Sequence, residues 1–461
     1  MKMTRGAAIL LAGAGFVAGA CVGPSGDRLV HRFGFPRAEA QGADQQPDPG
    51  LLALFSDVLE RVQADYVEPV SERTLIDNAL DGMLSGLDPH SGYLTEQQWR
   101  DMQVETSGRF GGIGLQVTGR DGLLEVVSPI DGTPAAKAGL RPGDLITAVN
   151  GKTIEGLSLS EAVAELRGPP DTALSVTVKR SGEDQPLVFT LTRKIIHVET
   201  VKSQLIGDAG VIRISEFTEQ TNPGVHAAVR TLRAQAKGGL RGLVLDLRND
   251  PGGLLEQAVA VANDFLDHGD IVSTRGRHPD DDDNFSARPG RDLAEGLPIV
   301  VLINNGTASA SEIVAGALQD NHRALVLGTR SFGKGSVQTV IPLHGHGAMR
   351  LTTARYYTPD GHSIQDLGIT PNVEVEATRA PVPHFGPEHE ADLRRTLSNE
   401  NPEQGAPAPA GGLPAAAREI PRLPPVGWPD YDAAKPATDF QLQQGLVLMR
   451  AMEAGRQAMS R

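Results

Sequence analysis

The stretch Ile299-Val300-Val301-Leu302-Ile303-Asn304-Asn305-Gly306-Thr307-Ala308-Ser309-Ala310-Ser311-Glu312 decides how this chain is read. Its opening run of apolar, mostly β-branched residues fits a strand buried on both faces. Asn-Asn-Gly then turns the chain, and residues 311–319 read as a helix. Strand, turn and helix in this order belong to an α/β core. The turn leaves Ser309 at the end of an element, where functional sites tend to lie.

Working outward, the alternation continues on both sides. Residues 210–214 read as a strand, 223–236 as a helix, 242–247 as a buried strand, 254–266 as a helix and 324–327 as a short strand. Residues 196–378 therefore form the α/β core, with helices flanking a sheet. Before it, residues 105–195 change to short strands and one helix, which Ser158 caps. Earlier still, residues 51–104 form a small helical unit. Leu51, Leu54, Phe55, Val58, Leu59 and Val62 share one helical face, and Leu75, Ile76, Ala79, Leu80, Met83 and Leu84 share another. The segment 87–94 stops the second helix. After the core, residues 379–435 are rich in Pro, Ala and Gly and read as a linker with partial order. Residues 436–461 return to a helix that docks on the body or on another subunit.

A chain of 461 residues has room for two or three domains. Its net charge of −14 argues against sequence-independent nucleic-acid binding, because phosphates would be repelled. Lys2 and Arg5 precede an apolar Gly/Ala-rich run over residues 6–23, and Ala18-Gly19-Ala20 supplies small residues for cleavage. Residues 1–23 are thus expected to be an export signal or an uncleaved anchor, followed by a spacer over 24–50. Membrane contact is expected only there. Cys21, the single cysteine, is a candidate for lipid attachment and excludes an internal disulfide.

A serine hydroxyl needs an adjacent base to become a nucleophile, and a lysine can be that base only when neutral. Burial disfavours the charged amine and supplies that state. Lys334 lies in the glycine-rich turn Ser331-Phe332-Gly333-Lys334-Gly335. If residues 334–341 run extended, Gln338 shares its face and can orient the amine. An oxyanion would need donors. The N–H of Ala310 and the turn Asn249-Asp250-Pro251-Gly252-Gly253 are the available sources. Ser311 is the alternative to Ser309, but it reads as the helix cap, with Glu312 adding charge at the positive helix end. The spacing Gly328-x-x-x-x-Gly333-Lys334 approaches a phosphate-binding loop, yet Gly335 stands where a Ser or Thr would hold magnesium. The histidines show no H-E-x-x-H spacing, and Asp280 to Asp283 read as a solvated loop. No metal and no cofactor is expected.

Gly112-Ile113-Gly114-Leu115, Ala138-Gly139-Leu140-Arg141-Pro142-Gly143-Asp144 and Val149-Asn150-Gly151 make residues 105–195 resemble a PDZ domain. In such a domain Gly112, Ile113, Gly114 and Leu115 would present backbone N–H groups to a terminal carboxylate beside an open strand edge. Arg167, at the end of the PDZ-like helix, reads as a surface residue or as a contact between this domain and the core. Across residues 55–376 the chain resembles the C-terminal processing proteases, also called tail-specific proteases. The resemblance rests on Leu245-Asp246-Leu247-Arg248-Asn249-Asp250-Pro251-Gly252-Gly253, Thr307-Ala308-Ser309-Ala310-Ser311-Glu312-Ile313, Ser331-Phe332-Gly333-Lys334-Gly335-Ser336-Val337-Gln338 and Thr352-Thr353-Ala354-Arg355-Tyr356-Tyr357.

This resemblance implies a protease core with a mixed β-sheet and flanking helices, joined to a PDZ domain and a small N-terminal helical unit. It places the nucleophile on Ser309, the general base on Lys334 and the supporting glutamine on Gln338. Oxyanion donors fall on Ala310 and on Gly252 or Gly253. It also implies an exported serine endopeptidase, in the periplasm or on the outer face of the cytoplasmic membrane, acting on proteins or peptides with accessible C-termini. An adaptor protein and a homo-oligomer are both compatible with it. The competing reading is an inactive PDZ-based adaptor that keeps the fold.

Overall fold

The computed structural model describes residues 48–120, 122–379, 387–400, 413–432 and 434–459. They fall into two compact units divided after Leu75. The first holds helix α1 (Pro49–Asp65), whose N-cap Asp48 accepts from Gly50 N at 2.8 Å. Pro49 stands where its missing N–H costs nothing. Leu51, Leu54, Phe55 and Val58 repeat at helical spacing and are exposed. Helix α2 (Glu72–Ser85) begins at Ser71, whose hydroxyl accepts from Thr74 N at 3.0 Å.

The second unit begins within α2 at Ile76 and continues with β1 (Gly92–Leu94) and α3 (Glu96–Ser107), a helix with a Thr95–Gln98 capping box and a Gly108 C-cap at φ 63°. The strand is a departure from the helical reading of 51–104. It pairs antiparallel with Ala348, Met349 and Arg350, and it is too short to show alternation in sequence.

Next come β2 (Arg109–Gly112), β3 (Leu115–Arg120), β4 (Leu123–Pro129), α4 (Pro134–Ala138), β5 (Leu145–Val149), β6 (Lys152–Thr153), α5 (Leu159–Leu166), β7 (Ala173–Lys179), β8 (Leu187–Thr192) and β9 (Lys194–His197). Strands β3, β4, β5, β7 and β8 form an antiparallel sheet in that order, and β2 pairs with β9. Leu174, Val176 and Val178, two apart along β7, all turn inward onto Ile113, Val126, Ile146 and Leu166.

The core continues with β10 (Val201–Ile206), β11 (Ala209–Ile214), α6 (Thr221–Gln235), β12 (Gly242–Asp246), α7 (Leu255–Asn263), β13 (Asp270–Gly276), β14 (Asp283–Ser286), β15 (Ile299–Ile303), α8 (Ala310–Asp320), β16 (Ala324–Gly328), β17 (Ser336–Pro342), β18 (Ala348–Tyr357), β19 (Val373–Glu374), α9 (Ala415–Arg418) and α10 (Phe440–Met459). One sheet runs β10-β11-β12-β15-β16-β19, antiparallel at β10–β11 and parallel elsewhere, so it is mixed as expected. All of β12 and β15 is buried because both faces are covered. Leu243, Leu245, Ile299, Val301 and Ile303 pack with residues of α6, α7 and α8. Val244, Val300 and Leu302 face the other way, toward Phe440, Leu446 and Met449 of α10. In a second sheet β18 pairs with β1, β13 and β17.

The described parts of 379–435, read as a partly ordered linker, pack onto the body of the protein. Glu390 and Ala417 are buried, and Trp428 meets Phe440 edge-on at 5.0 Å between ring centroids. Pro, Ala and Gly hide this order because it comes from tertiary contact and not from periodicity. Helix α10 docks on this chain's own sheet, where Gly242 admits it: a Cβ there would come within 2.3 Å of Met449 Sδ. No helix among the described residues is long and apolar enough to cross a membrane. The expected signal segment lies outside the described residues.

A buried ion network ties α10 to the sheet. Arg248 Nε and Nη2 each donate to Asp246 at 2.8 Å, and Nη1 and Nη2 donate to Asp439 at 2.9 and 2.7 Å. Asp439 also accepts from Leu442 N at 3.0 Å, capping α10. Removing one partner from a buried pair leaves a charge with too little company. Asp439→Ala is expected to destabilise the protein by about 3 kcal/mol, read as a lower denaturant midpoint with an unchanged m-value.

Candidate active site

The site is built where the turns after β12 and β15 meet. Asn304 Nδ2 donates to Asn249 Oδ1 at 2.8 Å, Asn249 N donates to Asn304 Oδ1 at 2.9 Å, and Thr307 Oγ1 donates to Leu247 O at 2.8 Å. Ser309 sits at the mouth of α8 with φ 56° and ψ −115°. A non-glycine residue at positive φ is strained, and the strained strand-to-helix turn is how serine hydrolases present a nucleophile. Only 5% of Ser309 is exposed.

Glu312, the third residue of α8, organises the surroundings. Its side chain is fully buried. Oε2 accepts from Ser309 N at 2.7 Å and Lys334 N at 2.9 Å; Oε1 accepts from Gly333 N at 2.7 Å and Ser331 Oγ at 2.5 Å. One carboxylate therefore fixes the backbone of Ser309 and of Lys334 at the same oxygen. Burial pushes its pKa up to about 7, and the donors hold it from rising further. Sequence reasoning assigned the helix cap to Ser311, and that is corrected here. Ser309 is the N-cap, and Ser311 Oγ donates to Asp250 O at 3.0 Å. The Ser-x-x-Glu spacing from Ser309 to Glu312 was the available signal.

Lys334 precedes β17, and its Nζ donates to Gln338 Oε1 at 2.5 Å. The pair meets as expected, although the strand starts only at Ser336 and a register shift falls between Val337 and Gln338. Lys334 is half-buried, and burial pushes its pKa down to about 8. Glu390, Glu312 and Asp88 oppose that fall, and Arg350 adds to it. Among the described residues no hydrogen bond joins the Ser309 hydroxyl to the Lys334 amine. The serine hydroxyl instead interacts with the Tyr356 phenol, whose pKa is raised chiefly by burial.

Of the expected oxyanion donors, Gly252 N is engaged by Asp250 Oδ1 at 2.9 Å. Ala310 N and Gly253 N have no acceptor among the described residues. A Cβ on Gly252 would lie 2.9 Å from Ser309 Cβ and 2.8 Å from Ala310 N, so this turn touches the serine itself. Burial pushes Asp250 up to about 7.

Away from the core, Ile113 turns its side chain into the PDZ interior and only its backbone is available; Gly114 has φ 79°, and Thr133 Oγ1 donates to its carbonyl at 3.2 Å. Arg167 lies over the Phe110 ring at 5.2 Å and 3.6 Å from Asp101. These three residues, with Glu105 and Glu216, line a cavity of about 280 Å³ separate from Ser309. Asp320, Asp360 and His362 are the one group with metal-ligand spacing among the described residues, and they gather at the opposite end of α8 from Ser309.

A buried serine on a strained turn, with free backbone donors beside it, is the make-up of a serine hydrolase. Residues 208–375 match peptidase family S41, and 125–180 match the PDZ domain. The carboxy-terminal-processing protease of Bartonella bacilliformis is 52% identical over 326 residues, spanning 70% of this chain and 75% of that protein. A probable CtpA-like serine protease of Staphylococcus aureus is 38% identical over 333 residues, spanning 72% of this chain and 66% of that protein. The solved photosystem II D1 C-terminal processing protease shares 32% identity over 70% of this chain and 92% of that one, with a TM-score of 0.41. The chain belongs to the carboxy-terminal-processing proteases of peptidase family S41 and is a serine peptidase.

Glu312→Gln would turn an amide N–H toward groups that are themselves donors. It is expected to cost about 2 kcal/mol of stability and to slow proteolysis at least about tenfold, measured by chemical unfolding and by cleavage rate.

Proposed function

We propose an exported endopeptidase that captures substrate C-terminal tails on its PDZ domain and cuts with Ser309 as nucleophile and Lys334 as general base. The observation that carries this reading is the shared Glu312 oxygen, which holds Ser309 N and Lys334 N together. For reaction, neutral Lys334 swings onto Ser309 Oγ and takes its proton as the oxygen attacks the scissile carbonyl. Ala310 N and Gly253 N receive the oxyanion. Lys334 gives the proton to the leaving amine, an acyl-enzyme remains, and water attacks it with Lys334 again as base. Active-site hydrogen bonds commonly tighten only when substrate is bound, which accommodates the open Ser309–Lys334 contact.

Tail capture is assigned to the loop at Gly112, Ile113, Gly114 and Leu115 by backbone donors, and export to residues 1–23. Whether an adaptor or a homo-oligomer takes part is decided by purified-component assay and light scattering.

Full-length wild type, Ser309→Ala and Lys334→Ala are incubated with an unfolded protein ending in an apolar tail, and fragments are read by mass spectrometry. Cleavage by wild type alone is expected, with losses of at least about 10³-fold in both variants. Equal cleavage by all three would sink the dyad. Because only neutral Lys334 accepts a proton, the wild-type rate should rise about tenfold per pH unit up to a pKa near about 8, then level.

Amidating the substrate's C-terminus removes the charge that the PDZ loop would bind. The expected result is a KM raised about tenfold with kcat little changed. An unaltered KM would remove tail-carboxylate capture from this account.

A further inference from the structure

The Gln338 amide can present either end to Lys334, since its oxygen and nitrogen ends have the same shape. Its orientation follows from chemistry one step further out. Gln338 Nε2 donates to Ser336 Oγ at 2.9 Å and to Thr352 Oγ1 at 3.3 Å. Thr352 stands opposite Gln338 in the β17–β18 pairing. Its hydroxyl has a single proton, given to Asp88 Oδ1 at 3.1 Å.

Asp88 is buried and, when ionised, can only accept. Burial works against its charge. Ser91 Oγ at 2.7 Å, His90 N and Ser91 N at 2.8 Å each, and Thr352 overcome this and hold its pKa below the usual carboxylate value. With its proton committed to Asp88, Thr352 Oγ1 must accept from the amide that faces it. That end is therefore the N–H end, and Oε1 is left for Lys334.

We propose that Asp88 and Thr352 are positioning residues that lock the Gln338 amide and, through it, aim the Lys334 amine. A neutral amine has one lone pair, and that lone pair must receive the Ser309 proton. Donation of one N–H to Gln338 Oε1 fixes rotation about the Cε–Nζ bond and keeps the lone pair clear. A reversed amide would instead donate an N–H into that lone pair and silence the base. Turn 88–91 is thereby part of the machinery, although it lies far from Lys334 in sequence and belongs to a segment that also builds β1.

The inference rests on the Ser309–Lys334 reading, and the test separates the two. Turnover of a fluorogenic peptide spanning the mapped cut site is measured with the full-length protein from about pH 6 to about pH 10. The variants are Thr352→Val, Thr352→Ser, Asp88→Asn and the Thr352→Val/Asp88→Asn pair, with a melting temperature for each. Thr352→Val is expected to lower kcat roughly tenfold at constant KM, and Thr352→Ser to recover most of it. Asp88→Asn should lower kcat similarly and move the acid limb to lower pH. The charged groups around the amine are Glu390 (bonded to His90), Arg350, Glu312 and Asp88, and this change removes one anion. The pair should cost no more than the worse single variant, because the two act in series.

A wild-type kcat in Thr352→Val, failure of Thr352→Ser to rescue, additive losses, or losses that follow melting temperature would each overturn the relay. If Thr352→Val proves unstable, the kcat of Asp88→Asn decides: a roughly tenfold loss at constant KM and wild-type melting temperature supports the relay, and a wild-type kcat refutes it. Cleavage by Lys334→Ala would instead bring down the underlying dyad. An inactive Lys334→Ala beside a fully active Thr352→Val would discard the relay alone.

Discussion

A single buried carboxylate, that of Glu312, holds the reactive region together. Ser309 arrives on the turn after β15 and Lys334 on the loop after β16, and Glu312 joins the backbones of the two. Donors from both converge on Glu312, with Ser331 Oγ and Gly333 N completing its shell. In a low-dielectric interior such a carboxylate is worth its desolvation only while fully satisfied. The strained φ of Ser309 can be held there because the surroundings over-determine it.

Around this anchor the charges are arranged in opposition. Burial drives Lys334 toward the neutral form, while Glu390, Glu312 and Asp88 draw it back. Glu390 is itself occupied: His90 Nε2 reaches its two oxygens at 2.8 and 3.0 Å, and Thr396 Oγ1 and Gln365 Nε2 reach Oε1 at 3.1 and 3.3 Å. The base thus has an environment assembled from the N-terminal region, the core and the segment after it. The titration of one amine depends on parts of the chain that share no local structure.

Much of this was legible in sequence. The runs at 243–245 and 299–303 are continuous and apolar, as a sheet covered on both faces requires, and the sequence blocks around Ser309 and Lys334 pointed to them as the candidate pair. What escaped was whatever depends on long-range partners. Ser311 looked like a cap because Ser before Glu suits a helix start; the actual cap is two residues earlier, where Ser-x-x-Glu spacing pointed. Asp88 holds the His90 and Ser91 amides, as a turn residue does, but its bond to Thr352 joins positions far apart in the chain. Glu390 and Trp428 lay in Pro- and Ala-rich sequence without periodicity, so nothing local announced the burial of the one or the packing of the other. The Gly252 N–H was expected to be free, and its capture by Asp250 two residues back is a turn detail that composition does not encode.

The position of α10 has a consequence for how the enzyme comes into being. Strands β12 and β15 turn half of their side chains toward this last helix, which follows them far downstream in the chain. During synthesis, the strands and the Ser309 turn emerge with one apolar face bare. Arg248, one residue before the Asn249–Gly253 turn, then lacks Asp439. The half-built sheet is exposed to aggregation and to chaperones, and its turns are not yet braced. The sheet behind the Ser309 turn is therefore completed only after the closing helix has arrived.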